Sequence, residues 1–336
     1  MKKLFILVFI IIAVLLLFSF VKNIKQKQST SISTPPSATI DTSEQTPASP
    51  FTLGPGDYDF SLQHGGLKRK YLLHIPSAYD KSNPTPLILA FHGGMGTAEI
   101  MAENYGLKQK SDKEGFIVAF PNGVSRLPSG KIATWNAGNC CGYAVESKSD
   151  DVGFVKAVIE DIRKKVNIGK IFATGMSNGG MMSYRLACEM SDTFAAIAAV
   201  SGTDNYDECN PKKPISVMHI HGLKDDHVLF NGGCGPACIA GSETEFVSVQ
   251  DTISKWVERN NCDKNPQGVA VNENAYYDLY SKCDGGVQVK LYVVLDGGHS
   301  WPGTEKSPNP LEKSTSSQAI SATDEIWNFF KNSLLK

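Results

Sequence analysis

A serine held between two glycines is the first candidate for chemistry in this chain. Ser177 lies in Gly-Met-Ser-Asn-Gly, residues 175–179. By itself the pattern also fits a small residue in a tight turn. Its surroundings favour a nucleophile over a simple turn residue. The apolar residues 170–176 predict a buried strand, and a helical pattern follows Ser177. A strand, a sharp glycine-rich turn and a helix form a nucleophile elbow, so we predict Ser177 as a nucleophile.

A serine nucleophile needs a base, and His299 is the candidate. It follows the apolar strand 287–295, in the flexible loop Asp-Gly-Gly-His-Ser-Trp-Pro-Gly. Its place C-terminal to Ser177 fits the chain order of nucleophile, acid and base. The other six histidines have structural or loop-shaping interpretations: His64, His74, His92, His219, His221 and His227.

The base in turn needs a carboxylate that orients it, again beyond the end of a strand. Asp225 and Asp226 both follow the apolar strand before them. We take Asp225 as the acid, although spacing alone barely separates the two. Asp204 and Asp296 are weaker candidates.

An acyl-transfer site also needs donors for the developing oxyanion. One is the backbone N–H of Asn178, the residue after the nucleophile. The other is the backbone N–H of Gly94 or Met95, in the glycine-rich loop Phe-His-Gly-Gly-Met-Gly after an early strand. Nucleophile, acid, base and oxyanion loop in this order predict ester hydrolysis.

The elements that position these residues alternate along the chain. Residues 58–76 predict a β-hairpin, and continuously apolar strands then alternate with helical patterns such as 150–166, 245–260 and 316–335. Continuously apolar strands predict a mostly parallel sheet covered by helices on both faces. We therefore predict one α/β domain over residues 51–336.

The N-terminal residues have a different composition. Residues 4–21 are apolar except for Ser19, so we expect residues 1–25 to form a membrane anchor or an uncleaved signal segment. Residues 26–50 are rich in Ser, Thr and Pro and predict a disordered linker. The catalytic domain would then lie outside the cytoplasm, either secreted or attached to the membrane by this segment.

All eight cysteines follow these segments and favour disulfides over a metal site. The favoured pairs are Cys262 with Cys283 and Cys188 with Cys209, although sequence alone does not determine the connectivity. A net charge of −1 gives no indication of a nucleic-acid partner.

Taken together, the motifs resemble one group of α/β-hydrolases: the extracellular polyhydroxybutyrate depolymerases and feruloyl esterases, which are similar to carbohydrate esterase family 1. The motifs are FHGGMG, PNG, WNAGNCCG, DDVGF, GMSNGGMMSYRLACE, CNPKKPISVMHIHGLKDD and GGHSWPG. The resemblance implies an α/β-hydrolase fold, a serine carboxylesterase without cofactor or metal, and a triad of Ser177, Asp225 and His299.

The chain departs from that family directly after the acid. The family usually has Pro there and Val-Pro-Tyr shortly beyond, whereas this chain has Asp226 and then Val-Leu-Phe. The departure suggests an altered pocket rim, and the cysteines of the next loop suggest a local link between Cys234 and Cys238.

Three further residues near the site are candidates for substrate binding: His92, Trp135 and Trp301. Either tryptophan could form a flat platform for an aromatic acyl group or a sugar ring, or could instead anchor its loop. The expected substrates are feruloylated or acetylated polysaccharide fragments, hydroxyalkanoate oligomers and aryl esters. A peptidase of the same fold and a non-catalytic, surface-displayed binding domain are the alternatives.

Overall fold

The computed structural model describes residues 52–238, 244–305 and 316–335. The predicted N-terminal anchor and linker lie outside these residues. Within the described ranges, no helix has both the length and the apolar character needed to cross a membrane.

Ten strands of the described chain form one sheet, in the order β1-β2-β4-β3-β5-β6-β7-β10-β9-β8. The strands are β1 (Gly56–His64), β2 (Leu67–Ile75), β3 (Thr85–Phe91), β4 (Ile117–Pro121), β5 (Ile168–Met176), β6 (Phe194–Val200), β7 (Ser216–Gly222), β8 (Gln267–Asn272), β9 (Ala275–Tyr280) and β10 (Val289–Val294). The six central strands of the sheet, β4-β3-β5-β6-β7-β10 in spatial order, all pair in parallel. The hairpins β1–β2 and β8–β9 lie at the two edges and are antiparallel.

Helices cover both faces of the sheet, which confirms the predicted α/β-hydrolase architecture. They are α1 (Ala98–Asn104), α2 (Leu107–Glu114), α3 (Gly142–Glu146), α4 (Asp151–Arg163), α5 (Asn178–Glu189), α6 (Val249–Arg259) and α7 (Ala322–Leu334). One apolar core joins α4, α5 and α6 to one face of the sheet, and a second core joins α1, α2 and α7 to the other. Adjacent residues of β5 divide between them, since Ala173 packs in the first core and Phe172 in the second.

Serine caps make two helices shorter than their sequence patterns indicate. The pattern over 245–260 becomes α6, which begins at Val249 because the Ser248 side chain accepts a hydrogen bond from the Asp251 backbone N–H. The pattern over 316–335 becomes α7, where Ser321 caps the helix in the same way.

All eight cysteines are paired, so the prediction of disulfides is confirmed. Cys188 pairs with Cys209 and Cys262 with Cys283, as favoured from the sequence, and Cys234 pairs with Cys238 within its own loop. The pair of adjacent residues Cys140 and Cys141 was not predicted.

Candidate active site

Ser177 occupies the turn between β5 and α5 with a backbone conformation that few side chains adopt. Its φ is 54° and its ψ is −121°, which costs on the order of 1–3 kcal/mol. The two flanking residues must be glycine because there is no room for a side chain at either position. A Cβ on Gly175 or Gly179 would come closer than 3.0 Å to backbone atoms, including the Phe91 carbonyl in both cases. The turn can therefore close tightly, with the half-buried Ser177 at its tip.

The turn is held by backbone hydrogen bonds to the neighbouring strand and helix. The Ser177 N–H donates to the Val200 carbonyl at 2.7 Å, and the Ser177 carbonyl accepts from the Met181 N–H at 2.9 Å. A Cβ on Gly202 would collide with that same Ser177 carbonyl. The loop after β6 thus packs directly against the elbow and restrains it.

The predicted acid and base lie together beyond the ends of two paired parallel strands, β7 and β10. The His299 Nδ1–H donates to Asp225 Oδ2 over 2.8 Å. Both side chains are buried, with Asp225 4% and His299 2% exposed. Asp226 instead contacts His227 Nδ1 and is half exposed. The side-chain directions therefore favour Asp225 over Asp226 as the partner of His299.

Asp225 is held as a carboxylate by several donors. Its Oδ1 accepts the backbone N–H groups of His227 and Val228, each at 2.9 Å. Burial alone would raise the pKa of Asp225, but the charge and hydrogen bond of His299, with smaller contributions from His221 and the His227 backbone, lower it to about 2. At neutral pH the carboxylate is charged and can stabilise an imidazolium at His299.

The tautomer of His299 follows from this contact. With the proton on Nδ1 shared with Asp225, the other ring nitrogen, Nε2, carries the lone pair that can accept a proton. Ser177, Asp225 and His299 all lie at the carboxyl edge of the parallel strands. Their loops meet there, since the Ser201 hydroxyl, just after β6, contacts the Ser300 carbonyl at 3.5 Å.

The predicted oxyanion loop lies over the elbow. A Cβ added to Gly93 would lie 3.6 Å from Ser177 Cβ, and a Cβ added to Gly94 would lie 3.8 Å from Asn178 Cβ. Met95 has a φ of 62°, so the chain reverses sharply there. The Asn178 side chain is occupied elsewhere, as its amide exchanges hydrogen bonds with the Trp135 backbone at 2.7 and 3.0 Å. The loop thus packs against the elbow, with Gly93 beside Ser177 and Gly94 beside Asn178.

His92 and Trp135 are buried beside this loop, which favours the loop-shaping interpretation of both residues over contact with substrate. Both side chains are 0% exposed. His92 accepts from the Gly123 N–H at 2.9 Å and donates from Nδ1 to the Gly93 carbonyl at 2.8 Å. Trp135 donates from Nε1 to the His92 carbonyl at 3.0 Å. Burial lowers the pKa of His92 to about 4, so the ring is neutral and serves as a fixed brace.

Trp301 is also buried, which favours its role as a loop anchor over that of a substrate platform. The side chain is 2% exposed and donates from Nε1 to the Thr323 hydroxyl at 2.9 Å. Its ring packs against Tyr105 with centroids 5.0 Å apart. The residue therefore ties the chain two residues beyond His299 to α7.

Two histidines that the sequence left in structural roles contact the acid–base pair. His227 stacks on His299 with centroids 4.5 Å apart and the ring planes 15° from parallel. His221 is buried and places Nε2 3.3 Å from Asp225 Oδ2. The only sequence signal for either was its closeness to Asp225 along the chain.

Two groups among the described residues bring together side chains of metal-binding type. The first group is Cys188, Asp204 and Cys209. Its two cysteines are joined as a disulfide, so neither offers a thiolate to a metal. In the second, Asp225, His227 and His299, the two rings are stacked, so their in-plane lone pairs do not converge on one point. The geometry of the second group suits proton transfer better than metal coordination.

Comparison with known proteins adds the family. Residues 69–234 match the family described as Esterase PHB depolymerase, and this match spans the elbow and Asp225. Over this range, about half of its length, the chain is similar to the esterase PHB depolymerase family. This family is one of carboxylic ester hydrolases, as the sequence motifs predicted.

Relatives of this chain include named feruloyl esterases. Feruloyl esterase B from Piromyces equi is 31% identical over 240 residues, and the match covers 69% of this chain and 42% of the length of that relative. A probable feruloyl esterase C from Aspergillus clavatus is 26% identical over 270 residues, with 78% of this chain and 83% of the relative covered. Among solved structures, an acetyl xylan esterase from Aspergillus awamori shares the fold, with a TM-score of 0.52, 16% identity and coverage of 82% of this chain and 99% of that one.

Proposed function

We propose that this chain is an exported serine carboxylic ester hydrolase that acts through an acyl-enzyme, with Ser177 as nucleophile, His299 as base and Asp225 as the acid. The observation that carries the proposal is the buried 2.8 Å contact between His299 Nδ1 and Asp225 Oδ2, at the sheet edge that also presents the strained Ser177. The geometry supports a nucleophile, a base with an available ring nitrogen and a charged orienting group.

The first half of the reaction forms the acyl-enzyme. Ser177 Oγ attacks the ester carbonyl while His299 Nε2 takes its proton, and the charged Asp225 stabilises the imidazolium. The carbonyl oxygen becomes an oxyanion that accepts hydrogen bonds from the backbone N–H of Asn178 and from that of Gly94 or Met95. His299 then gives its proton to the leaving alcohol, and the C–O bond of the ester breaks.

The second half releases the acid. Water replaces the alcohol, His299 removes its proton, and the resulting hydroxide adds to the acyl carbonyl. The tetrahedral intermediate collapses, and Ser177 leaves with the proton from His299. This chain's own residues therefore complete both steps.

For the substrate, we propose feruloylated or acetylated polysaccharide fragments ahead of hydroxyalkanoate oligomers. The support is that two relatives are named as feruloyl esterases and that the neighbour of shared fold is an acetyl xylan esterase. Four disulfides support an oxidising compartment, which fits an enzyme exported to meet such esters.

A fluorophosphonate probe tests the chemistry directly. The wild-type protein and the Ser147→Ala variant, which alters an exposed serine, should be labelled, and the labelled peptide should contain Ser177. Ser177→Ala should lose the label and lose roughly 10⁴- to 10⁶-fold in turnover of p-nitrophenyl acetate. Labelling that persists in Ser177→Ala would overturn the proposal, and an unlabelled wild type would favour a binding domain.

Substrate class is tested by comparing methyl ferulate, acetylated xylan, hydroxybutyrate oligomers and a peptide amide. We expect kcat/KM to be highest for methyl ferulate or acetylated xylan. A higher value for the peptide amide would indicate a peptidase on the same fold.

A further inference from the structure

A buried line of polar side chains leads from α5 to the acid of the proposed triad. The Tyr184 hydroxyl contacts His219 Nδ1 at 2.8 Å, and His219 Nε2 contacts His221 Nδ1 at 3.0 Å. His221 Nε2 lies 2.8 Å from the Val228 carbonyl and 3.3 Å from Asp225 Oδ2. Tyr184 and both histidines are fully buried, so water does not compete for these contacts.

The direction of every hydrogen bond in this line follows from its last member. The Val228 carbonyl can only accept, so the proton of His221 lies on Nε2. In a neutral ring Nδ1 of His221 is then an acceptor, so His219 donates to it from Nε2. His219 Nδ1 is in turn an acceptor, and the Tyr184 O–H donates to it. The three donors thus follow one another in one direction, and the line ends at the Val228 carbonyl, beside Asp225.

The charge state of the line agrees with that direction. Burial lowers the pKa of His219 and of His221, and burial raises the pKa of Tyr184, so all three stay neutral near pH 7. The charged and titratable groups that face the line are Asp225 and His299 at one end and Asp204 and Arg259 at the other.

From this geometry we infer that Tyr184, His219 and His221 are positioning residues for the reaction, and that they hold Asp225 in the orientation that His299 requires. The inference rests on the proposed function of the Ser177 site. Asp225 Oδ2 lies between His299 Nδ1 and His221 Nε2, while its Oδ1 is held by two backbone N–H groups. The Nε2–H of His221 donates to the Val228 carbonyl, and the Val228 N–H donates to Asp225 Oδ1, so His221 restrains the turn that holds the carboxylate.

The first test separates a donor from a space-filling role at His221. A leucine removes the donor, whereas a glutamine can place its amide N–H where Nε2–H lies. We expect His221→Leu to lower kcat about tenfold with little change in KM, because the Val228 carbonyl loses its donor and the turn that holds Asp225 is less restrained. With the Val228 N–H held less firmly against its carboxylate, Asp225 binds the proton of His299 more strongly, so the acid limb of the kcat/KM profile should move to higher pH. His221→Gln should restore both quantities to within about threefold of wild type.

The control for this test is a histidine of comparable burial far from the site. His74, on β2, contacts Asp57 and Asp112 and makes no contact with the triad. His74→Leu should leave the pH profile unchanged even if it lowers the melting temperature. All rates are divided by the active-site concentration found with the fluorophosphonate probe, which removes the contribution of unfolded protein.

The second test needs no activity. In the full chain with Ser177→Ala, the ¹⁵N shifts of His219 and His221 should show neutral rings protonated on Nε2 from pH 6 to pH 9. Tyr184→Phe removes only the first donor, and the His219 signal should move while the fold is retained. Should His221→Leu fail to fold, Tyr184→Phe provides the kinetic arm, with an expected two- to threefold fall in kcat.

The outcomes are distinguishable. Loss in His221→Leu with rescue in His221→Gln and the Nε2–H tautomers supports the inference. Equal activity and equal pH profiles in wild type, His221→Leu and Tyr184→Phe overturn it, as does an Nδ1–H tautomer at His221. A wild-type protein without esterase activity would instead refute the proposed function, and the tautomers would still report on the line of hydrogen bonds.

Discussion

The two adjacent aspartates after β7 make the most decisive comparison in this protein. Asp225→Asn keeps the size of the side chain and removes its charge, and Asp226→Asn makes the same change one residue later. Asp225 is buried against His299 at 2.8 Å, whereas the side chain of Asp226 is 49% exposed and contacts His227. The same chemical change should therefore lower activity far more at Asp225 than at Asp226.

The magnitude follows from the contacts of Asp225. Lowering its pKa from 3.8 to about 2 corresponds to roughly 2 kcal/mol in favour of the charged form, in spite of burial. An asparagine offers its N–H₂ or its oxygen to His299 without a charge, so the imidazolium loses its partner and the ring can take the wrong tautomer. We expect kcat to fall by about 10⁴, or some 5 kcal/mol in the barrier, as in other triads. For Asp226→Asn we expect less than about a tenfold fall, since exposed pairs are weak.

The assay is hydrolysis of p-nitrophenyl acetate and methyl ferulate, with rates divided by the concentration of folded protein. Circular dichroism and the melting temperature show whether each variant is native. The reasoning would be refuted by a folded Asp225→Asn protein within tenfold of wild type. A collapse of activity in Asp226→Asn alone would assign the acid to Asp226 instead.

Three further predictions test the surroundings of the triad. Gly202→Ala would place a Cβ against the Ser177 carbonyl and should lower kcat about 100-fold. The control, Gly54→Ala, places its Cβ in open space and should leave kcat unchanged. A Gly202→Ala enzyme with wild-type activity would show that the elbow tolerates displacement. His227→Phe keeps a ring stacked on His299 and should retain most of kcat, while His227→Ala should lower kcat about threefold. A higher kcat in His227→Ala than in His227→Phe would contradict a stacking role. Because the pKa of folded Asp225, about 2, lies below the unfolded value of 3.8, its stabilising contribution is complete above that value and is lost as pH falls toward 2. Urea unfolding at several pH values should show the stability gap between wild type and Asp225→Asn narrowing over that window, and a constant gap would argue against it.

Local patterns in the sequence were sufficient for the centre of the fold and for the nucleophile's setting. The apolar strands β3, β5, β6 and β7 are buried on both faces, so their residues are continuously apolar and easily recognised. The edge hairpin β8–β9 was missed because most of its residues are exposed or half-buried and carry little apolar alternation. Helices α6 and α7 begin later than their apolar patterns predicted. The serine cap that sets each start acts through one hydrogen bond, which hydrophobic periodicity does not report.

The sequence by itself determined the elbow around Ser177 and the chain order of the candidate residues, and it favoured the two longer disulfide pairs. These depend on residue type and on spacing along the chain, which a sequence states directly. Only the tertiary structure decided which aspartate faces His299, that Trp135 and Trp301 are buried anchors, and that Tyr184, His219 and His221 form a directed line to Asp225. These depend on where side chains point after distant strands and loops have packed together, and neighbouring residues such as Asp225 and Asp226 then meet different surroundings.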